Sequence, residues 1–231
     1  MYCNTAITAL FRCCAGLVII TALILLCLRV VPPPTSAFML IRQFEQTTHN
    51  APGPAIRYQW TSGKNIPAHM ALAVVAAEDQ NFPHHRGFDF AAITRAMRDN
   101  ARTKRVRGAS TITQQVAKNL FLWPDKSYVR KGLEAILTVG LELLWPKKRI
   151  LEVYLNIAEF GDGIYGVEAA ALCFFGKPAS RLTRDEAATL AAVLPDPRTL
   201  SALYPSHYVQ SRSRWIRTQM RQLGPAHISW P

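Results

Sequence analysis

Apolar residues crowd the chain's start and then recur at helical spacing. From Cys13 to Leu28 the sequence reads "CCAGLVIITALILLCL", uncharged, with Arg12 before it and Arg29 after it. At ~1.5 Å per residue this run falls slightly short of a ~30 Å hydrocarbon core, and Val30 and Val31 extend it if Arg29 snorkels. It predicts one N-terminal transmembrane helix, with a cleaved signal peptide as the rival; no small-x-small cleavage site follows. Pro32 to Pro34 end it, and the polar, proline-rich "TTHNAPGP" (Thr47 to Pro54) reads as linker.

Beyond Ile66 the pattern is helical. Pro67 fits the first turn of a helix carrying Met70, Leu72, Val74 and Val75 and ending at Glu78 and Asp79. "FDFAAITRAMRDNARTK" predicts a second helix, and "STITQQVAKNLFL" a third with Ser110 or Thr111 near its N-cap. Tyr128 to Leu144, closed by Trp145-Pro146, predicts a fourth, and Lys147 to Ile157, stopped around Gly161, a fifth. Thr183 and Glu186 stand at capping-box spacing before an alanine-rich helix. No alternating strand pattern of useful length interrupts them, so the expected class is all-α. Phe88, Phe90, Ile93, Met97, Leu120, Phe121, Leu122 and Trp123 are expected in the core, with contact to lipid as the alternative.

Charge narrows the partners. The 231 residues carry 27 basic and 15 acidic side chains, net +12, which implies an anionic partner: nucleic acid, an anionic membrane surface or a phosphorylated substrate. A membrane anchor favours the last two. The densest basic run, Arg98 to Gly108, has no aromatics interleaved, which argues against nucleic acid. Four of the five cysteines (Cys3, Cys13, Cys14, Cys27) lie in or beside the apolar run, and only Cys173 is in the folded part, where its neighbours suggest burial. No pair has metal-ligand spacing.

Chemistry concentrates in few places. Glu78 and Asp79 leave an apolar helix for crowded aromatic and histidine-rich surroundings. "GASTITQQVAKN" gathers hydroxyls, amides, a lysine and an asparagine; in a helix, Thr111, Gln114 and Lys118 share a side, and such groups ligate phosphate oxygens. Arg130 with Glu134, and Lys148 with Glu152, stand at i,i+4 spacing, as ordinary helix ion pairs do. Glu134 and Glu142 are two turns apart. Glu78 with Glu134 would supply carboxylates from different helices, suited to acid/base work on a sugar.

Five blocks occur in order between Glu78 and Pro197: "EDQNFPHHRGFD", "GASTITQQVAKNL", "RKGLE", "KKRILEVYLNIAEFGDGIYGVEAAA" and "RDEAATLAAVLPDP". In these the chain resembles the monofunctional biosynthetic peptidoglycan transglycosylases of glycosyltransferase family 51, whose domain also forms the N-terminal half of bifunctional penicillin-binding proteins. Cys173 stands where relatives usually carry a polar or basic residue. The resemblance implies an all-α, lysozyme-like head and a smaller membrane-associated jaw divided by a cleft. It divides the chain into 1–31 (cytoplasmic N-terminus and anchor), 32–57 (linker) and 58–231 (glycosyltransferase domain).

The implied reaction joins lipid II to a lipid-linked glycan through a β-1,4 bond with release of undecaprenyl diphosphate. By the same resemblance Glu78 is the general base on the acceptor's 4-hydroxyl, with Asp79, Phe82 and His85 shaping its loop. Lys118, Arg130 and Lys131 lie near the donor diphosphate, and Ser110, Thr111, Gln114, Gln115 and Asn119 line the same side. Glu134 is the second essential acid, either organising a divalent metal or orienting those cations. No tightly bound cofactor is expected, and Mg²⁺ or Mn²⁺ is expected to stimulate. The implied location is the bacterial inner membrane with the domain on the periplasmic side. The partners are lipid II, the growing glycan, membrane lipids and cell-wall synthesis or division proteins, without nucleic acid. A membrane-anchored lysozyme-like lytic enzyme is the alternative.

Overall fold

Side-chain caps and prolines set most helix limits, and the helices then pack along their apolar faces. The computed structural model describes residues 2–48, 53–102 and 108–230, of which Cys13, Cys14 and the residues up to Phe11 are described by backbone alone, as is Ala101. Thr103 to Arg107, most of the basic run singled out above, lie outside the described residues, as do 49–52 of the polar stretch. The described residues are mostly helical. In order they form α1 (Tyr2–Leu28), α2 (Ala37–Thr48), β1 (Arg57–Tyr58), α3 (Ala68–Glu78), α4 (Phe90–Arg102), α5 (Ile112–Phe121) and α6 (Tyr128–Leu144). α7 (Lys147–Ile157), β2 (Glu159–Gly161), β3 (Ile164–Tyr165), α8 (Val167–Phe175), α9 (Arg184–Val193) and α10 (His207–Leu223) follow.

The limits of α6 and α7 match the expectation. Ser127 caps α6 by accepting from the Arg130 N–H, and Pro146 separates the two helices. Capping boxes open α5 (Thr111 with Gln114) and α9 (Thr183 with Glu186). Pro67 is the N-cap of α3 rather than a first-turn residue.

The strands depart from the all-helical expectation. After α7 stops at Ile157 the chain forms a three-stranded sheet in the order β1-β3-β2, with β1 parallel and β2 antiparallel to β3. Segments of two or three residues carry no detectable alternation, so the sequence pattern passes over them. Gly166, after β3, has φ +84°, and a Cβ there would come 2.5 Å from the Asn156 carbonyl oxygen. Only glycine fits this close approach. Asn156 in turn accepts from Thr61 N (2.8 Å) and donates to Thr61 O (2.9 Å), clasping the strand region to α7.

Met70 to Ala76 of α3 are buried, so this helix runs through the middle of the core, with α9 and α10 packed on it. Ile112, Val116 and Leu120 of α5 join Leu141 of α6 and Ile150 and Val153 of α7 in the same core. Each such side chain removed from water is worth ~1.5–3 kcal/mol. Leu120 and Leu122 are buried as expected, but Phe90 and Met97 are 73% and 68% exposed. None of the described α4 side chains is fully buried. Cys173 is half-buried rather than buried and accepts a weak bond from Arg57 (3.5 Å).

The stretch 32–57, read as linker, contains α2. Arg42 on α2 pairs with Asp162 (2.8 Å) between β2 and β3, and α2 also packs on α5, so this helix belongs to the folded body. The expected apolar run lies in α1, whose Leu17, Val18, Ile19, Ile20, Leu23, Ile24 and Leu26 are exposed. Among the described residues no helix is long and apolar enough to cross a membrane. The α1 side chains described without interruption begin at Ala15, and Ala15 to Leu28 measures only ~21 Å as a helix. The end of α1 is held firmly. Trp145 Nε1 donates to Leu25 O (2.7 Å), and Arg149 donates to Leu28 O (2.9 Å) and Val31 O (2.7 Å). The Arg149 guanidinium also lies over the rings of Trp60 and Trp145.

Candidate active site

α3 ends where the core opens, and Glu78 occupies its last turn. Glu78 keeps 16% of its side chain exposed. Its Oε2 accepts from Gln115 Nε2 (3.0 Å), and its Oε1 faces Arg212 Nη2 at 3.5 Å. The Gln115 oxygen accepts from the Tyr154 hydroxyl (3.0 Å). Burial raises the proton affinity of Glu78; Gln115 and Arg212 oppose that rise, and the neighbouring Asp79 adds to it. A carboxylate so placed is ionisable, aimed and poised to accept a proton. It borders a cavity of ≈ 310 Å³ that also includes Asp79, Asp89, Arg95, Ser110 and Thr111. A larger cavity of ≈ 460 Å³, lined by His69, Arg184 and Arg217, lies at the other end of α3 and contains none of the expected residues.

The loop after Glu78 is built around Asp79. Its carboxylate accepts from His85 Nε2 (2.9 Å) and from the Ile112 N–H at the start of α5 (3.0 Å). His85 therefore braces Asp79. Phe82 is buried beneath, with its edge toward His85 and Lys147 Nζ 4.5 Å from its ring centroid. Gly87 (φ +84°) brings this loop against α6, where a Cβ would meet Thr138 at 2.6 Å, and its carbonyl accepts from Thr111 Oγ1 (2.6 Å).

α5 sorts its polar residues by depth. Thr111 and Gln114 are buried and close their capping box on each other, so they hold the helix start rather than offer free ligands. Ser110 is exposed at the cavity. Gln115 reaches Glu78, and Asn119 has a buried Oδ1 without a hydrogen-bond partner. The Lys118 ammonium sits 5.4 Å from the Phe38 ring centroid of α2. Burial lowers its proton affinity, Glu134 and Glu78 raise it, and Arg130 and Lys131 lower it further. Lys118 thus lies within the fields of both expected carboxylates.

At the start of α6, Arg130 donates to Glu134 Oε2 (2.6 Å) and to Asp125 O (2.6 Å), and Lys131 pairs with Glu134 Oε1. Arg130 and Glu134 are buried, unlike an ordinary surface pair, and Lys131 is exposed. Three cations around one carboxylate leave an excess of positive charge. Both Glu134 oxygens are taken by cations, and among the described residues no group of three His, Cys, Asp or Glu side chains could hold a metal ion. These residues do not fit a protein metal cage; they fit a carboxylate that aims basic side chains. Glu142, on the same helix, pairs with Lys147 (2.7 Å) and Thr113 (2.5 Å) and is structural. Glu152 pairs with Arg149 (2.7 Å) instead of Lys148, because Arg149 faces inward and Lys148 faces solvent.

Sequence reasoning passed over Tyr154, Arg212, Arg95 and Asp89. Tyr154 lies inside a quoted block without a role attached to it. Arg212 reaches Glu78 from α10, and no local spacing signals such a contact.

Known proteins carry the same arrangement of sequence. The model of the transglycosylase family matches residues 45–221. The chain is 55% identical over 207 residues to the biosynthetic peptidoglycan transglycosylase of Xanthomonas campestris pv. campestris (strain B100), covering 89% of this chain and 84% of that one. It is 59% identical over 196 residues to proteins of that name from Shigella boydii serotype 4 (strain Sb227) and Escherichia coli (strain ATCC 8739), covering 84% of this chain and 81% of each of them. With a family match over residues 45–221 and relatives aligned over most of its length, the chain belongs to the transglycosylase family.

Proposed function

We propose that the protein polymerises lipid II into β-1,4-linked glycan strands for the bacterial cell wall, releasing undecaprenyl diphosphate. The observation that carries this reading is the pairing of Glu78, held at a cavity by Gln115 and Arg212, with the net-positive group Lys118, Arg130 and Lys131 around Glu134. Glu78 takes the proton from the acceptor's 4-hydroxyl as that oxygen attacks C1 of the donor, and the carbon inverts from α to β. The diphosphate departs without protonation, and its growing charge meets the three cations. Glu134 orients Arg130 and Lys131 for that task. Ser110 faces the substrate, Asn119 lies one turn past Gln115 on the same helix, and Thr111, Gln114, Asp79, His85 and Phe82 hold the walls in place. No tightly bound cofactor is required, and added Mg²⁺ or Mn²⁺ would be expected to stimulate turnover.

In this reading α1 anchors the protein in the inner membrane. The uncharged run from Cys13 to Leu28, extended by Val30 and Val31 with Arg29 snorkelling, supplies the span, with the N-terminus cytoplasmic and the domain periplasmic. The exposed Phe90 and Met97 of α4, and Val129, Leu133, Ile136 and Leu143 of α6, rest against lipid, with α4 as the smaller jaw. The glycosyltransferase domain takes in α2 together with the residues from 58 onward, and synthesis or division proteins are its protein partners. The experiment is incubation of the full chain with labelled lipid II, with and without divalent metal, beside incubation with polymeric glycan alone. Polymer from lipid II supports the proposal. Cleavage of the glycan without polymerisation would establish the lytic alternative, for which the basic cluster has no use.

A further inference from the structure

Glu78 is held from two helices besides its own end of α3, by Gln115 of α5 and Arg212 of α10, and Tyr154 of α7 holds Gln115 in turn. Tyr154 and Arg212 take no chemical step in the reaction as written above. Tyr154, from α7, is fully buried, and burial pushes its proton affinity far above the ordinary phenol range, so it stays a hydroxyl. The Glu78 carboxylate only accepts and so selects the NH₂ end of Gln115, and the Tyr154 hydroxyl donates to the Gln115 oxygen at the other end (3.0 Å). The NH₂ end then points at Glu78 Oε2, 3.0 Å away. Arg212, from α10, has Nη2 3.5 Å from Oε1 and 3.4 Å from the Ala77 carbonyl oxygen, and its buried Nε has no partner. Its charge is therefore close to Oε1 without a short bond occupying that oxygen.

We propose that Tyr154 and Arg212 are positioning residues for Glu78: Tyr154, through Gln115, commits Oε2 as an acceptor, and Arg212 keeps Oε1 charged and free to receive the acceptor's proton. This rests on the reading of Glu78 as the base. Among the described residues, Asp79 on its own turn, itself braced by His85 and the Ile112 N–H, and Lys118 from α5 also act on Glu78, and Asp89, Arg95 and Asp99 line the cavity it borders. Burial favours the protonated, inactive form of Glu78, Asp79 adds to that, and the Arg212 charge opposes both. A variant without the charge thus needs a higher pH to ionise the base. The side chain of Arg212 is only partly buried, so its replacement leaves the core intact.

The test is kcat and KM for lipid II across about pH 5 to 9, with melting temperature, for the full chain and its variants. The set is Arg212→Gln, Arg212→Lys, Tyr154→Phe, Gln115→Ala, the Tyr154→Phe/Gln115→Ala pair, and Glu78→Gln. Arg212→Gln should move the acidic limb of kcat to higher pH, lowering turnover on the order of tenfold at neutral pH and recovering it at the alkaline end. Arg212→Lys should reverse most of that shift. Tyr154→Phe should lower kcat by ~10-fold at nearly constant KM and add nothing once Gln115 is already alanine. An unmoved acidic limb in Arg212→Gln, or additive losses for Tyr154 and Gln115, would overturn the inference while an inactive Glu78→Gln leaves the base intact. A Glu78→Gln variant with near-normal turnover overturns the base and the inference together.

Discussion

Arg130→Gln separates a leaving-group role from a structural one. An exposed i,i+4 pair would be worth only ~0.3–0.5 kcal/mol, and its loss would scarcely register. The Arg130 and Glu134 side chains are instead 10% and 3% exposed, with a 2.6 Å bond between them. Removing one member of a buried pair leaves an under-compensated charge and typically costs ~3–5 kcal/mol. Lys131 still reaches Glu134 from solvent, so the lower end of that range applies. At ~2–4 °C per kcal/mol for a domain of this size, melting should fall by roughly 6–12 °C. Turnover should fall as well, in kcat more than in ground-state affinity, because the cation's attraction grows as the diphosphate leaves. The informative partner is Arg130→Gln/Glu134→Gln, two neutral amides that can bond each other. Calorimetry should show much of the lost stability regained, while lipid II turnover stays low. If the double variant regains both, the charges serve only the fold and the leaving-group role is refuted. An unchanged melting temperature in the single variant would refute the buried-pair reasoning.

Lys118→Gln should lower kcat for lipid II with a smaller change in affinity, measured in the same assay; an effect confined to KM would count against its role at the diphosphate. Glu78→Gln should reduce polymerisation by ~10²–10⁴ and make the protein more heat-stable at neutral pH. The sign follows from linkage: a carboxyl with raised folded affinity stabilises below its ordinary pKa, and that contribution is lost as pH rises through the raised value. The variant's advantage should therefore grow with pH, and a constant difference across pH would contradict it. Gly166→Ala should destabilise by more than ~1 kcal/mol in denaturant titrations, since both φ and the Asn156 carbonyl exclude a Cβ. Protease added outside intact spheroplasts should digest the domain; digestion only after lysis would reverse the proposed topology.

Much of the helical frame was legible because its punctuation is local. Trp145-Pro146 and the Thr183–Glu186 box mark ends by chemistry within one turn, and α6 and α7 keep the limits read on either side of Pro146, with Ser127 capping α6. The Thr111–Gln114 box obeys the same Thr-x-x-Gln spacing, which could have marked both residues as caps instead of free ligands. Depth was not legible. The spacing of Arg130 and Glu134 gives their contact but not their burial, which depends on what covers α6. Phe90 and Met97 recur as core residues do, yet both stand exposed on α4. The sheet escaped because two-residue strands have no period. The Glu78 grip escaped because Tyr154 and Arg212 reach it across tertiary distance.

The bonds from Trp145 and Arg149 to the carbonyls of Leu25, Leu28 and Val31 bear on how the enzyme meets its substrate. The final carbonyls of a helix usually face water, and the chain beyond them can swivel. Here those carbonyls are soldered to the start of α7, whose other end carries Asn156 and the sheet. With α1 upright in the bilayer as proposed, the catalytic body is a rigid keel rather than a tethered float, and the height and heading of the Glu78 cleft are set by the tilt of one helix. A lipid-borne donor diffusing in the plane would then meet the cleft at nearly constant elevation, turning a three-dimensional search for alignment into a two-dimensional one.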